Sequence, residues 1–183
     1  MKTMPFVKIL LAAFTVSLLA NTPLFAQENV IKLNIFSPIL KTLNMSYERV
    51  LNPNSSLQLG FYYTGAKSGD VQLSGFGITP EYRFFLSDTP APDGVYIAPW
   101  VRYQSLDADN PIENASGRLT SFGGGVVIGR QWVFKNIVTL DIFIGPQYLS
   151  ATVDPDQGSE EAIEVTSASG FWFRAGLNLG IAF

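Results

Sequence analysis

The chain has 183 residues, with 12 basic and 15 acidic side chains, and it contains neither cysteine nor histidine. Its length allows one domain. The absent residue types exclude disulfides, thiol nucleophiles, histidine-based triads and imidazole-bound metals. The acidic balance disfavours binding to nucleic acid, which needs a basic surface. Charged residues make up only 15% of the chain, against about 25% in an average soluble domain, so part of the surface must lack charge.

The first 26 residues are predicted to form a secretory signal peptide, and residues 27–183 are predicted to form the mature domain. Lys2 and Lys8 supply a positively charged start, an apolar stretch follows from Ile9 to Ala20, and Ala26 offers a small residue before the cut. The alternative is a membrane anchor, which would need about 20 apolar residues to span a bilayer. The chain is therefore expected to be exported.

After this segment, apolar residues recur at every second position, which is the period of a β-strand. Between Phe171 and Phe183, for example, one face is wholly apolar and the other is polar or small. Eight such strands are predicted, near residues 30–37, 41–50, 56–65, 73–86, 94–105, 119–132, 136–150 and 168–183. An even number of antiparallel strands can close on itself and leave no exposed edge. We therefore predict an all-β fold, an eight-stranded antiparallel transmembrane β-barrel of the up-and-down type.

The predicted connections differ between the two ends of this barrel. Long loops are expected at residues 66–72, 106–118 and 151–167, and shorter turns at the opposite end. This asymmetry is typical of bacterial outer-membrane barrels. Nine of the 15 acidic residues fall in the long loops, which predicts acidic, solvated outer loops. Residues Asp154 to Gly158 resemble a calcium loop, but their glycine is the fifth residue where the EF-hand needs it at the sixth.

Alternation alone does not say which face of the sheet is outside, so a soluble lipocalin-like barrel with an apolar interior is the alternative. The aromatic residues of the apolar face gather near the strand ends, as in the two aromatic girdles of membrane barrels. One group is Tyr47, Tyr82, Phe84, Trp132 and Phe183, and the other is Tyr63, Phe76, Tyr103, Phe122, Tyr148 and Phe171. The polar face carries few charges and many glycines, which suits a narrow lumen better than a solvated wall. These features favour the membrane barrel.

Several short motifs resemble those of a family of small, uncharacterised bacterial outer-membrane barrels, a domain of unknown function. The motifs are Tyr47–Leu51, Leu57–Gly60, Pro80–Phe84, Tyr96–Pro99, Gly129–Trp132 and Ile144–Tyr148. More distantly, the chain is similar to eight-stranded barrels of the outer-membrane protein A and outer-membrane protein W kinds. The resemblance implies a location in the outer membrane of a Gram-negative bacterium and no established reaction. Phe183, at the end of the last predicted strand, is expected to be an assembly signal for the barrel assembly machinery.

The register that faces the lumen of the predicted barrel collects seven ionisable residues, namely Lys32, Glu48, Glu81, Arg83, Arg102, Asp141 and Arg174. Opposite charges inside a narrow barrel can pair, whereas unpaired charges would be costly. We expect a structural salt-bridge network, because eight strands leave an interior just wide enough for side chains. The alternative is the selectivity element of a narrow pore. An ion pair is expected between Glu81 and an arginine across the fourth and fifth strands, where Arg102 is the neighbour. Four bulky side chains are expected to fill the same lumen, namely Trp100, Trp172, Tyr62 and Phe143.

The sequence thus predicts a non-enzymatic outer-membrane barrel with a structural or interaction role, no cofactor, and membrane lipids and lipopolysaccharide as partners. A narrow channel, or a lateral opening for small or apolar solutes, is the second hypothesis. A lipid-modifying enzyme is the third, and it would need a base other than histidine, for example Asp141 near Tyr148. No Ser lies in a G-x-S-x-G elbow.

Overall fold

The computed structural model describes residues 28–39, 41–68, 71–110, 115–155 and 168–183, and the predicted signal peptide lies outside these ranges. The described residues form eight strands: β1 (Asn29–Asn34), β2 (Thr42–Asn52), β3 (Ser55–Ser68), β4 (Val71–Phe85), β5 (Gly94–Asn110), β6 (Ala115–Phe134), β7 (Val138–Pro155) and β8 (Ala168–Ala182). Each strand pairs antiparallel with the next, and β8 pairs with β1. The predicted all-β, eight-stranded antiparallel barrel is confirmed. No helix in the described ranges is long and apolar enough to cross a membrane.

The strands differ in length, so the wall of the barrel is uneven. The rim where β1, β3, β5 and β7 end is called the loop rim here, and the opposite rim, which holds both ends of the described barrel, is the terminal rim. β1 has 6 residues, whereas β6 has 20. Asn34, the last residue of β1, pairs with Asn178, and β8 runs on from there to Ala168. At the loop rim the wall is therefore low beside β1.

The long loops expected at residues 66–72 and 106–118 are wrong over most of their length. Ala66 to Ser68 pair with Val71 to Leu73 in the β3–β4 ladder. The first residues of the loop expected at 151–167, Ala151 to Pro155, belong to β7. Leu106 to Asn110 and Ala115 to Arg118 continue the β5–β6 ladder, with Asp107 opposite Arg118. The Arg118 Nε atom lies 2.6 Å from Asp107 Oδ1, and both side chains are exposed. The hydrophobic alternation fades in this stretch, where Asp107, Asp109 and Asn110 follow Leu106 within five residues, so the sequence pattern does not reveal the strand.

The tight turn expected after the sixth strand lies at the terminal rim, between β6 and β7. Lys135 and Asn136 both adopt left-handed backbone angles, with φ of 49° and 61°. The Ile137 amide donates to the Phe134 carbonyl at 3.0 Å. Two successive left-handed residues are the feature of a type I′ turn, whose twist matches that of the strands it joins.

The outer face of the barrel is apolar and exposed along its height. Ile78, Ile128 and Ile142 are 41%, 55% and 45% exposed, although each lies within a strand. The aromatic residues expected near the loop rim are all exposed on this face, and Tyr148 packs against Phe171 with ring centroids 5.1 Å apart. At the terminal rim, Phe84 and Phe183 are exposed in the same way. Most large apolar side chains of the described residues thus lie outside the barrel.

Glycines on the inner face make room for the aromatic side chains of the lumen. Tyr96 pairs with Gly129 across β5 and β6, and Phe143 pairs with Gly176 across β7 and β8. A Cβ at either glycine would collide with the facing aromatic ring. The absence of a side chain is therefore what allows these rings to lie flat against the neighbouring strand.

Candidate functional site

The seven ionisable side chains predicted for the lumen all point inward in the structure. Lys32, Glu48, Glu81, Arg83 and Asp141 are almost completely buried, at 0–2% exposure. Arg102 and Arg174 are half-buried. Six of the seven, all but Arg102, belong to one hydrogen-bonded cluster, which we call the lumen network. Its members are Lys32, Glu48, Glu81, Arg83, Asp141 and Arg174 with the neutral side chains of Ser56, Gln58, Tyr96, Gln131 and Asn178.

Lys32 forms one centre of the lumen network. Its Nζ atom lies 2.5 Å from Glu48 Oε2 and 3.4 Å from Asp141 Oδ2. It also donates to Gln131 Oε1 at 2.5 Å and to Gln58 Oε1 at 2.9 Å. Lys32 therefore joins β1 to β2, β3, β6 and β7.

Arg83 forms the second centre, and each of its three kinds of nitrogen has a partner. Nε donates to Glu81 Oε1 at 2.8 Å, Nη1 to Gln131 Oε1 at 2.9 Å, and Nη2 to Asp141 Oδ2 at 3.0 Å. Its guanidinium carbon lies 4.3 Å from the centroid of the Tyr96 ring, and the Tyr96 hydroxyl donates to Asp141 Oδ1 at 2.7 Å. The guanidinium fork is thus held in one orientation by its partners.

The lumen network spans the cross-section of the barrel. Every one of the eight strands contributes at least one of its members. On the side towards the loop rim it ends at Arg174, whose Nη1 donates to Glu81 Oε2 at 2.9 Å across the lumen from β8 to β4. Lys32, Arg83 and Arg174 balance Glu48, Glu81 and Asp141, so the formal charge of the network is zero.

Arg102 does not make the ion pair with Glu81 that the strand order predicts. Its Nε donates instead to Thr79 Oγ1 at 2.9 Å. The ion pairs of Glu81 within the described residues are with Arg83 on its own strand and with Arg174 across the lumen. The expectation considered only the adjacent strand, whereas in a barrel this narrow a side chain also reaches the far wall.

The charged side chains of the lumen network are buried, so each of them needs close partners. Removing a charge from water costs several kcal/mol, and only close partners offset that cost. The carboxylates of Glu48 and Asp141 each accept bonds on both oxygens, from Ser56 and Gln131 for Glu48 and from Tyr96 and Arg83 for Asp141. Each of these buried carboxylates therefore has close partners that offset part of its desolvation cost.

A cavity of about 140 Å³ lies between the lumen network and the loop rim. Its lining includes Asn34, Asn44, Tyr62, Thr79, Arg102 and Arg174. Phe143 also borders it, while Trp100 is 3% exposed beneath the two arginines, so both lie in the lumen as expected. Trp172 differs from the expectation, because it lies beyond Arg174 towards the loop rim and is 65% exposed.

Sequence reasoning missed the neutral members of the lumen network. Gln58 and Gln131 bridge charged groups, and Asn178 links Asp141 to the neutral Asn34, although none of the three was singled out beforehand. Their register was the available signal, since each stands on the inward face of its strand. In a low-dielectric interior, amides are suited to this role because each offers both donors and an acceptor.

Two other sequence hypotheses are affected by the structure. Asp141 is buried in the lumen whereas Tyr148 is exposed on the outer face, so they do not form the acid–base pair that the enzyme alternative needed. Residues 156–158 of the calcium-like segment, and most of the acidic residues expected in the outer loops, lie outside the described residues. Within the described ranges, no group of three or more acidic side chains could hold a metal ion.

Phe183 lies at the seam that closes the barrel. Its amide donates to the Asn29 carbonyl at 2.9 Å, and the Asn29 amide donates to the Phe183 carbonyl at 3.1 Å. Its side chain is 58% exposed on the outer face at the terminal rim. The role of Phe183 as an assembly signal stays a prediction.

The chain is similar to one solved structure and one curated protein, and it matches one family model. The chain is similar to the N-terminal β-barrel domain of Pseudomonas aeruginosa OprF, with 14% identity, a TM-score of 0.45, and coverage of 86% of this chain and 98% of that one. It is 36% identical over 86 residues to aspartic protease inhibitor 1 of Solanum tuberosum, a match that covers 47% of this chain and about a third (34%) of the length of that relative. The family model described as protein of unknown function (DUF3575) matches residues 8–179. The chain therefore belongs to the DUF3575 family.

Proposed function

We propose that this protein is an integral barrel of the bacterial outer membrane, with a structural or interaction role and a lumen closed by its own side chains. The observation that carries the proposal is the inverted distribution of polarity. Fully buried charges such as Arg83 and Asp141 fill the lumen, while large apolar side chains such as Ile142 are exposed around the outside.

The apolar outer face supports membrane insertion. Soluble monomers rarely expose contiguous apolar patches of more than a few hundred Å². A closed barrel satisfies every backbone hydrogen bond between its strands, so it is one of the two structures that lipid tolerates. The exposed aromatic groups near both rims match the girdles that contact the membrane interfaces. Outer-membrane lipids and lipopolysaccharide are therefore the proposed partners of this face.

The lumen network favours a closed barrel over a channel. Lys32, Arg83 and their partners connect all eight strands at one level, and their side chains are almost completely buried. An ion crossing this level would have to break several charge-assisted hydrogen bonds, each stronger than a neutral one. A narrow channel is thus the second candidate, and the cavity on the loop side of the network is the observation in its favour.

Conductance in a planar bilayer tests the proposal. The folded protein should insert from detergent and show no steady single-channel conductance. Replacing Lys32 and Arg83 by Ala should open the lumen at the level of the lumen network. Stepwise currents are therefore expected from that variant when it is inserted in the bilayer. Steady currents from the unaltered protein would favour the channel. Recovery of abundant soluble monomer without detergent would contradict the membrane assignment itself.

A further inference from the structure

The cavity on the loop side of the lumen network has an unusual set of polar groups. Arg102 and Arg174 reach it from β5 and β8, and Asn44, Tyr62 and Thr79 line it from β2, β3 and β4. Among the described residues, no Asp or Glu side chain is part of its lining. The polar groups that line the cavity from the described strands are therefore cationic or neutral.

The charge balance of the lumen leaves one positive charge at this cavity. Arg174 is neutralised by Glu81, at 2.9 Å. Arg102 has no carboxylate within ion-pair distance among the described residues, and its bonded partner there is the neutral hydroxyl of Thr79. A half-buried guanidinium without a counter-charge is unfavourable, and binding of an anion would offset that cost.

Both arginines also present unused donors. Among the described residues, the Nη atoms of Arg102 have no hydrogen-bond partner, and Arg174 uses only Nη1. The two guanidinium carbons lie 5.4 and 4.5 Å from the centroid of the same Trp100 ring, so both cations contact one side chain. The ring is buried, and its Nε1 atom is a buried donor without an acceptor in the described structure. The cation–π contacts with Trp100 favour these positions of the two guanidinium groups.

We propose that this cavity is a binding site for a small oxyanion of the phosphate or short-chain carboxylate class, held by Arg102 and Arg174. Planar guanidinium forks bind such groups through paired hydrogen bonds. The volume of about 140 Å³ accommodates one anion of this size. The ligand enters from the loop rim, where the wall is low beside Asn34, and it stops at the lumen network.

Fluorescence of Trp100 offers a direct assay. The chain has three tryptophans, and Trp132→Phe with Trp172→Phe leaves Trp100 alone. This protein, folded in octyl glucoside, which carries no phosphate, would be titrated with inorganic phosphate against sodium chloride of equal ionic strength. A saturable change in Trp100 emission is expected. A change no different from that given by chloride would overturn the proposal.

Charge-matched variants make the test specific. Arg102→Gln should weaken phosphate binding by about tenfold or more, because it removes a guanidinium fork. The affinity of Arg102→Lys for phosphate should lie between that of the unaltered protein and that of Arg102→Gln, since lysine keeps the charge and lacks the planar guanidinium. Lys41→Gln removes the same charge from the exposed β1–β2 turn at the same rim and should leave binding unchanged. Equal weakening by Lys41→Gln and Arg102→Gln would mean that the anion responds only to surface charge, and the site would be rejected.

A second titration separates two sources of the ligand. Dihexanoyl phosphatidic acid below its micelle concentration presents a lipid phosphate, whereas inorganic phosphate is the free ion. If the unaltered protein responds to one of these compounds and Arg102→Gln does not, the result supports the site and identifies that compound as the source of the phosphate group. Folding of each variant is checked as a band on gels whose migration changes on heating. If Arg102→Gln does not fold by this criterion, Arg102→Lys is compared with the unaltered protein instead. Unaltered phosphate binding by Arg102→Lys would then overturn the proposed role of the Arg102 guanidinium.

Discussion

Arg83 on β4 and Asp141 on β7 meet across the lumen, with Nη2 of the arginine 3.0 Å from Oδ2 of the aspartate. These strands are not neighbours in the sheet. The pair therefore connects opposite walls of the barrel, and its hydrogen bonds continue to Tyr96 and Gln131. Such a contact depends on closure of the whole sheet, so it reports on the native barrel more specifically than a pair between adjacent strands.

Breaking this pair from one side should be costly. We expect Arg83→Met to lower the free energy of unfolding by about 3–5 kcal/mol, because Asp141 is left as a buried charge with fewer partners. The double variant Arg83→Met with Asp141→Leu should lose less than the sum of the two single losses. Urea unfolding in detergent measures all three. Strictly additive losses would mean that the two residues do not stabilise one another.

The partner of Glu81 can be identified by the same kind of cycle. We expect Glu81→Gln to couple more strongly to Arg174→Met than to Arg102→Met, because Arg174 bonds Glu81 at 2.9 Å while Arg102 bonds Thr79. The coupling energies come from unfolding of the single and double variants. A larger coupling with Arg102 would support the sequence-based pairing and contradict the observed one.

The sequence predicted the fold well because the period-two pattern is strong wherever one face of a strand is apolar. All eight predicted strands are present, although Ile35 to Ser37, expected at the end of the first strand, form a turn. The inward register of residues such as Lys32 and Asp141 followed from the alternation. The pattern failed at Leu106–Asn110, which continue the β5–β6 ladder although three of these five residues are polar. Period alone carries no information on such a segment.

The partners of each charge could not be predicted from the strand order. Adjacent strands suggested Glu81 with Arg102, but the observed partner Arg174 comes from β8. Contacts across a closed lumen depend on the stagger of the strands around the barrel, which one sequence does not specify. The same reason explains why the bridging amides of Gln58 and Gln131 were missed.

The packing of Phe143 against Gly176 leads to a further prediction. Gly176→Ala should lower the free energy of unfolding by about 1–3 kcal/mol, since a Cβ there collides with the ring of Phe143. Gly65→Ala is the matched control, because the nearest atom to a Cβ at that site is 3.8 Å away, which is an ordinary contact. Equal effects at the two sites in urea unfolding would show that the ring does not limit position 176.

Phe183 can be tested as an assembly signal in cells. We expect Phe183→Asp to reduce the amount of folded barrel in the outer-membrane fraction, measured as the heat-modifiable band on gels. Phe134→Asp is the control, since Phe134 is a similarly exposed phenylalanine at the terminal rim, 50% against 58% exposed, and lies away from the β1–β8 seam. An equal loss in both variants would indicate a general effect of lost apolar surface and not a signal at Phe183.

The central claim is that the apolar outer face contacts lipid, and nitroxide accessibility measures this most directly. Because the chain has no cysteine, single cysteines at Ile142 and Ile78 on the outer face and at Lys135 in the terminal-rim turn can each carry one spin label. In liposomes, oxygen, which is concentrated in the bilayer, should relax the labels at positions 142 and 78 more than a water-soluble nickel chelate does. At Lys135 the order should be reversed. Nickel accessibility at 142 and 78 as high as at 135 would contradict the membrane barrel.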